Sequence, residues 1–200
     1  VDAERSKSLA QEMDRLNRER QLIEEQILNQ VQERFQAEPS LARQWVVVID
    51  GHGWHRGVLG IVATKLSEKY SRPVLVIGRE EGIGYGSGRS PKGFHLLSAL
   101  ESCRDLFDRF GGHAQAVGFQ LRADCLDELR RRVNEHAASV TTEEALAPML
   151  EIDAEIRLSD IDRNLFEETQ KLSPFGPSNP QPLFAARELG LIAEPRILKG

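Results

Sequence analysis

Trp45-Val46-Val47-Val48-Ile49 is a continuous apolar run rich in β-branched residues, and it predicts a strand that is buried on both faces. Residues 50–53 (Asp-Gly-His-Gly) predict a loop after it. Residues 57–70 place apolar side chains on one helical face, with Gly60 allowing close contact between helix and sheet. Residues 73–77 form the next strand-like run. Strand, helix and strand together predict a right-handed βαβ unit with parallel strands.

Upstream of this unit, residues 2–38 contain no glycine or proline and are rich in good helix formers, which predicts one long helix. Its apolar residues recur every three, four or seven positions: Leu9, Met13, Leu16, Ile23, Ile27, Val31 and Phe35. This stripe predicts either a coiled-coil strand or a helix lying against the domain. Arg20 and Gln30 interrupt the stripe at seam positions, which argues against a true zipper.

Downstream, Tyr85-Gly86-Ser87-Gly88-Arg89-Ser90 predicts a glycine-rich strand after a turn. Alternating glycines let a backbone approach a ligand closely, because no Cβ is in the way. The planar Arg89 side chain offers donors that match a phosphate, and the serine hydroxyls with free amides complete an anion site. The alternative is a glycine-rich hairpin with an exposed arginine.

Residues 110–119 (Phe-Gly-Gly-His-Ala-Gln-Ala-Val-Gly-Phe) hold a second short motif. The apolar pattern predicts a helix over 96–110, with Gly111 and Gly112 ending it and His113 incidental. The other interpretation is a backbone turn that presents the His113 imidazole into a pocket. A strand over 116–121 and a helix over 124–138 complete this part of the chain.

The pattern changes from Leu150 onward. Ile152, Ala154, Ile156 and Leu158 alternate with polar residues, which predicts a half-buried strand. A short helix over 164–172 follows, then four prolines between 174 and 182, then a strand-like end from Leu183. A separate, β-rich segment is therefore expected at the C-terminus.

Composition limits the classes of partner and site. The 200 residues carry a formal net charge of −5, so any nucleic-acid contact must come from a local basic patch. Cys103 and Cys125 are far apart, which favours a reducing cytoplasm over a disulfide scaffold, and no apolar run is long enough to span a membrane. His52 and His55 have no third ligand at suitable spacing, so no metal site is predicted.

The position of the loop after the first strand still favours ligands. In open α/β sheets, ligands bind beyond the carboxyl ends of strands. Trp54 and His55 stand there, so they could stack on or hydrogen-bond a nucleotide.

Gly-Ser-Gly-Arg-Ser at 86–90, followed by Phe-Gly-Gly-His-x-x-Ala-x-Gly-Phe at 110–119, resembles the DHH-associated domain of the RecJ single-strand-specific DNA exonucleases. Four other segments resemble the same family in the same order: residues 16–21 (Leu-Asn-Arg-Glu-Arg-Gln), 54–63 (Trp-His-Arg-Gly-Val-Leu-Gly-Ile-Val-Ala), 72–74 (Arg-Pro-Val) and 174–180 (Pro-Phe-Gly-Pro-Ser-Asn-Pro). Ser178 replaces a glycine that is frequent in the last motif. The resemblance covers nearly the whole chain.

The resemblance implies an α/β fold in which a long N-terminal helix precedes a mixed sheet flanked by helices. Residues 1–42 would be the connecting helix, 43–147 the substrate-binding DHH-associated domain, and 148–200 a linker with the truncated start of an OB-fold near Leu183. Since the chain lacks an initiating methionine, we expect it to be part of a longer protein. Dimerisation through the helix would then be an artefact of truncation.

The resemblance also implies the ligand and the residues that bind it. The partner would be single-stranded DNA, and eight residues would bind DNA or phosphate: Ser87, Gly88, Arg89, Ser90, Gly111, Gly112, His113 and His55. No residue of this chain is expected to be catalytic or to bind a cofactor, because the Mn²⁺ or Mg²⁺ of the family belongs to a DHH domain whose Asp-His-His motif is not found here.

Two other functions remain open from the sequence. One is a relative of the same superfamily that cleaves short oligonucleotides or cyclic dinucleotides. These relatives share the Gly-Gly-His signature but generally lack the long helix and the proline-rich segment. The other is a non-enzymatic nucleic-acid-binding or coiled-coil module.

Overall fold

The computed structural model describes residues 3–190 and 192–195, which form two compact units, Val1–Pro148 and Met149–Gly200. The helices of the N-terminal unit are α1 (Ala3–Ala37), α2 (Leu59–Tyr70), α3 (Leu96–Glu101), α4 (Leu126–Val140) and α5 (Glu143–Leu146). Its strands are β1 (Val47–His52), β2 (Val74–Glu80), β3 (Ile83–Arg89), β4 (Phe107–Gly112) and β5 (Ala116–Arg122). Asp2, at the expected start of the long helix, lies outside the described residues.

The five strands form one mixed sheet in the order β1-β2-β3-β5-β4. β1 and β2 are parallel and α2 connects them, which confirms the predicted strand–helix–strand unit. The remaining neighbours are antiparallel. β1 continues through residues predicted as a loop, because Asp50, Gly51 and His52 pair with β2. The predicted α/β fold with a long N-terminal helix and a mixed sheet is confirmed.

Each face of the sheet packs against a different helix pair. Val48, Leu75 and Ile77 point into a core completed by α3 and α4. Val47, Ile49, Val74 and Val76 alternate with them and point to α2 and to the C-terminal half of α1. This alternation explains why β1 and β2 are continuous apolar runs, since both of their faces are buried.

Only the C-terminal half of α1 is packed. Ile27, Val31 and Phe35 are buried against the sheet and α2, whereas Leu9, Met13 and Leu16 are exposed. Gln30, which interrupts the apolar stripe, accepts a hydrogen bond of 2.8 Å from the indole nitrogen of Trp54. The described part of the chain holds no helix both long and apolar enough to cross a membrane.

Glu24 is a buried carboxylate that ties α1 to α2. Arg20 lies 2.6 Å from it and Lys65 of α2 also pairs with it. The hydrogen bond from Lys65, with that from Arg20, lowers the pKa of the Glu24 carboxyl below its usual value despite burial. Its charge therefore stabilises the fold above the unfolded carboxyl pKa of about 4.3, and this stabilisation is lost as pH falls through the folded pKa.

Glu24→Gln should accordingly lower the free energy of unfolding by about 1 kcal/mol at neutral pH, and the deficit should shrink in acid. Urea denaturation at pH 7 and at pH ~3.5 measures both values. Glu12→Gln, on the exposed half of α1, is the matched control and should change little. A deficit that stays constant with pH would show that Glu24 acts through packing rather than charge.

The predicted helix over 96–110 is wrong in its second half. α3 ends at Glu101, a 3-10 turn covers Arg104–Leu106, and residues 107–112 form β4 instead. Phe107 packs on Phe119 of β5 at a ring-centroid distance of 5.3 Å, and Phe107 and Phe110 lie 5.2 Å apart. Pairing with β5 and this aromatic cluster override the local helical pattern, as tertiary context often does.

The C-terminal unit contains little regular structure. Its described elements are β6 (Ala154–Glu155), α6 (Arg163–Gln170) and β7 (Phe184–Ala185), with β6 and β7 parallel. The predicted strand over 152–158 is thus reduced to two residues, whereas the short helix is confirmed. Gly200, the last residue of this segment, lies outside the described residues.

Candidate nucleic-acid interface

The glycines of β3 serve the core rather than a ligand. A Cβ on Gly86 would lie 2.1 Å from the Phe119 ring, and one on Gly88 would lie 2.6 Å from Leu75. Both glycines therefore make room for side chains between the sheet and α3. The expectation that they bring the backbone close to a ligand is not supported. Because side chains alternate along a strand, Tyr85, Ser87 and Arg89 point to the opposite face.

On that opposite face, Ser87 and Arg89 meet the first turn of α2. Arg89 Nη1 donates to the Gly88 carbonyl at 2.8 Å and to Ser87 Oγ at 3.3 Å. A Cβ on Gly60 would lie 3.2 Å from Arg89 Nη2 and 3.3 Å from Ser87 Oγ. The predicted close approach at Gly60 is therefore real, and it brings the guanidinium against the helix.

The same helix turn leaves two backbone amides unpaired. The amides of Ile61 and Val62 donate to the Val58 carbonyl, but those of Leu59 and Gly60 have no acceptor among the described residues. A guanidinium and the positive end of a helix repel each other unless an anion lies between them. Arg89, Ser87 and these amides together form an arrangement suited to a phosphate.

Several arginines have no carboxylate partner among the described residues; Arg18, Arg34, Arg43 and Arg104 are examples, and three more lie on this face. Across the described residues, many arginines pair with carboxylates: Arg15, Arg20, Arg72, Arg79, Arg122, Arg130, Arg131, Arg132, Arg157, Arg163 and Arg187. Arg56, Arg89 and Arg109 have no such partner in the described part of the chain. The net negative charge is therefore compatible with a locally basic surface.

The sheet on this face is open beyond β3. A Cβ added to Gly111 or Gly118 would have no neighbour within 4 Å, and the two glycines are register partners on β4 and β5. Gly111 therefore lies in an uncovered part of the sheet, on the same face as Ser87, whose register partner is also Gly118.

His113 is exposed in the turn between β4 and β5. Its amide donates to the Ala116 carbonyl at 2.8 Å, which closes the hairpin. Gly112 has a φ of +142°, and a Cβ there would lie 2.2 Å from the Ala116 carbonyl oxygen, so this turn requires glycine. The C-cap interpretation of the glycine pair is wrong. The alternative turn is present, but it leaves His113 exposed rather than in a pocket of the described residues. Since Ala116 pairs with Arg89, the turn lies at the Arg89 end of β3.

Two predicted site residues are not brought to this face. Gly88 points into the core, as described above. Ser90 is buried, and its hydroxyl donates to the Phe94 carbonyl at 3.1 Å. Both residues support the strand and the loop after it.

The loop between β1 and α2 differs from the expectation for Trp54. This side chain is buried, with its ring over Gly51 and its indole nitrogen bonded to Gln30, so it cannot stack on a nucleotide. His55 is exposed, and its Nδ1 accepts a 3.1 Å hydrogen bond from the Gly57 amide just before α2. Among the described residues, no group of three or more His, Cys, Asp or Glu side chains could hold a metal ion.

Sequence reasoning missed Arg56, Tyr85 and Arg109 at this face. The guanidinium carbon of Arg56 lies 5.3 Å from the Tyr85 ring centroid. Tyr85 alternates with the glycines of β3, and this pattern could have placed it on the same face as Ser87 and Arg89. No local signal marks Arg56 and Arg109, because they reach this surface only through the connection after β1 and the strand order β3-β5-β4.

Comparison with known proteins agrees with the fold and the motifs. A family model of the DHHA1 domain matches residues 42–139, and one of the RecJ OB domain matches residues 152–200. The second match begins well before Leu183, where an OB segment was expected.

The chain is 40% identical over 183 residues to the single-stranded-DNA-specific exonuclease RecJ of Bacillus subtilis (strain 168), a match that covers 90% of this chain and 23% of that protein. It is 34% identical to the protein of the same name from Thermus thermophilus, covering 92% of this chain and 26% of that protein. The chain thus spans about a quarter of the length of these relatives.

Solved structures give the same result. The crystal structure of RecJ in complex with Mn²⁺ from Thermus thermophilus superimposes with a TM-score of 0.80 at 31% identity, covering 92% of this chain and 27% of that one. The Mg²⁺ complex from the same organism gives 0.76 at 30% identity, covering 92% and 28%. The chain therefore belongs to the RecJ family, of which it carries the DHHA1 domain and a segment matching the RecJ OB domain.

Proposed function

We propose that this chain is the substrate-binding part of a single-stranded-DNA-specific 5′→3′ exonuclease of DNA repair and recombination. The observation that carries the proposal is that Arg89 and Ser87 lie against the first turn of α2, in which the amides of Leu59 and Gly60 have no acceptor among the described residues. The first turn of α2 and an arginine without a carboxylate partner both favour an anion there. A phosphate of the DNA backbone, at or near the 5′ end, is the ligand we assign to it.

The other exposed residues extend this contact. Gly111 provides an open floor, and Gly112 shapes the turn that carries the exposed His113, which we place close to the scissile phosphate. His55 adds a polar group at the loop that leads into α2. Gly88 and Ser90 act indirectly, by fixing the strand that carries Ser87 and Arg89.

Hydrolysis itself is assigned to a catalytic domain elsewhere in the parent protein. The relatives are single-stranded-DNA-specific exonucleases, which supports that activity in the parent, and the RecJ structures in complex with Mg²⁺ and Mn²⁺ support a divalent metal there. The described residues do not fit a metal site. We assign them to holding DNA, and we infer a cytoplasmic location for the parent. Dimerisation through α1 stays a prediction, for which Leu9, Met13 and Leu16 offer exposed apolar surface.

Fluorescence anisotropy of a labelled single-stranded oligonucleotide, carrying either a 5′-phosphate or a 5′-hydroxyl, tests the phosphate site. Arg89→Ala should weaken binding of the phosphorylated strand about tenfold, because a hydrogen bond to a charged group contributes roughly 1.5–3 kcal/mol. Binding should fall with salt and favour the 5′-phosphate.

Arg43→Ala is the matched control, since it removes the same charge from an exposed position in the 3-10 helix before β1. It should leave the preference for the 5′-phosphate intact. Equal losses in the two variants would show that only net charge matters, and the phosphate site would be rejected.

A further inference from the structure

A groove of about 450 Å³ lies next to the proposed phosphate site on the open face of the sheet. Arg56 and Gly57 border it on one side, and Tyr85, Gln120 and Arg109 cross it as neighbours on β3, β5 and β4. Tyr85 is two residues from Ser87 on the same face, a separation of about 7 Å along the strand. A ligand held at Ser87 and Arg89 therefore reaches this groove with its adjoining group.

The groove combines a stacking surface with positive charge. The Arg56 guanidinium carbon lies over the Tyr85 ring, 5.3 Å from its centroid, which places a planar cation on an aromatic face, and Arg56 is exposed. Arg109 is exposed and has no carboxylate partner in the described part of the chain. None of the described residues that line the groove is acidic, and the nearby Asp108 accepts a 3.4 Å hydrogen bond from the Gln120 side-chain amide.

Gly118 leaves the floor of the groove open. Its missing Cβ would meet no atom within 4 Å, so a flat group can lie directly on the backbone of β5. Bases stack on aromatic rings and on arginine planes, and their flat faces need a floor of this kind. A bare inorganic anion would use the arginines but not the stacked pair or the open floor.

We propose that this groove is a base-stacking subsite for the nucleotide joined to the phosphate at Arg89. The unpaired base stacks on the outer side of the Arg56 guanidinium, and Arg109 pairs with the neighbouring backbone phosphate. This assignment rests on the proposed function, since the phosphate bound at Arg89 determines which nucleotide of the DNA reaches the groove. It favours single-stranded DNA as the ligand, because a base within a duplex is covered on both faces by its stacked neighbours.

The test compares two probes of equal charge by NMR titration of the full chain. One probe is the 5′-phosphorylated thymidine dinucleotide, and the other has the same two phosphates on abasic sugars. The wild-type chain should bind the dinucleotide about tenfold more tightly than the abasic probe. The amides of Gly57 and Gly118 should shift only with the base-bearing probe, and that of Gly60 with both.

Two variants address the groove alone. Gly118→Val fills the floor without a clash, and Arg56→Ala removes the stacking plane. Each should abolish the preference for the base-bearing probe while the Gly60 amide still responds. Arg43→Ala should keep the preference.

The outcomes separate the two proposals. A preference that persists in Gly118→Val and Arg56→Ala would overturn the subsite and leave the phosphate site standing. So would a preference that is absent in the wild-type chain while Arg89→Ala still weakens binding of both probes. Equal binding of both probes by the wild-type chain and Arg89→Ala, or no shift at Gly60 at millimolar probe, would overturn both.

Discussion

Gly86→Val is expected to lower the free energy of unfolding of the N-terminal unit by about 3 kcal/mol or more, the upper part of the range for overpacked cores. Three atoms of the Phe119 ring lie within 2.1 to 2.6 Å of the position a Cβ would take. The ring cannot swing away easily, since it is buried and packed edge-on against Phe107. Denaturant titration followed by tryptophan fluorescence measures the loss, because Trp45 and Trp54 both lie in this unit.

Gly118→Val is the matched control for Gly86→Val. It makes the same substitution in the adjacent strand of the same sheet, at a position where a Cβ meets nothing within 4 Å. Valine favours extended backbone, so this variant should be as stable as the parent or slightly more stable. A similar loss in both variants would mean that β-strand glycines are needed here for their backbone freedom rather than for space.

Asp50→Ala should be the second most damaging substitution, with an expected loss of about 2–3 kcal/mol. The buried Asp50 carboxylate pairs with Arg130 of α4 and lies 2.6 Å from Arg79 Nε on β2, and its backbone carbonyl accepts a hydrogen bond from Arg34 of α1. Removing the carboxylate takes from Arg79 its counter-charge among the described residues and leaves Arg130 with only the exposed Asp127 carboxylate. The expected loss is below that of a fully buried pair because the Arg79 side chain is 42% exposed.

Asp127→Ala provides the comparison for Asp50. Asp127 also pairs with Arg130, at 2.6 Å, but its side chain is 97% exposed, so its loss should cost less than about 0.5 kcal/mol. The same fluorescence titration serves both variants. If Asp50→Ala is no more destabilising than Asp127→Ala, the buried ion pair does not hold α4 to the sheet.

The strand–helix–strand unit was predictable because its residues signal their burial directly. Val47, Ile49, Val74 and Val76 on one face alternate with equally apolar residues on the other, and the short length of each run favours a strand over a helix. The end of β1 was not predictable in the same way, because Asp50-Gly51-His52 has loop composition. These three residues extend β1 because they pair with β2, and the Asp50 carboxylate is held by Arg130 of α4.

The helix prediction for the residues of β4 was wrong for a different reason. A register shift between Phe107 and Arg109 breaks the strand alternation, and Phe107 and Phe110 stand three apart, as on a helix. The decisive contacts come from β5, which follows later in the chain. The local pattern therefore predicts a helix where β4 lies, and it predicts Gly111 and Gly112 as the end of that helix.

The candidate site was predictable in part. The residue types around Arg89 and His113 marked an anion site, but the sequence did not show which face each residue would occupy. The glycines of β3 were assigned to the ligand side, whereas the adjacent side chains lie there. Arg56 and Arg109 depend on strand order, which runs β3-β5-β4 against the order of the chain.

Trp54 contacts both α1 and β2, which are far apart in the sequence. Its indole is held by Gln30 and lies 5.7 Å from the Arg34 guanidinium of α1, while its carbonyl oxygen fills the space beside Gly78 of β2. The next residues lead directly into the first turn of α2, where the free amides are. Trp54 is therefore a shared packing residue: the same side chain that contacts the buried half of α1 begins the segment that enters α2.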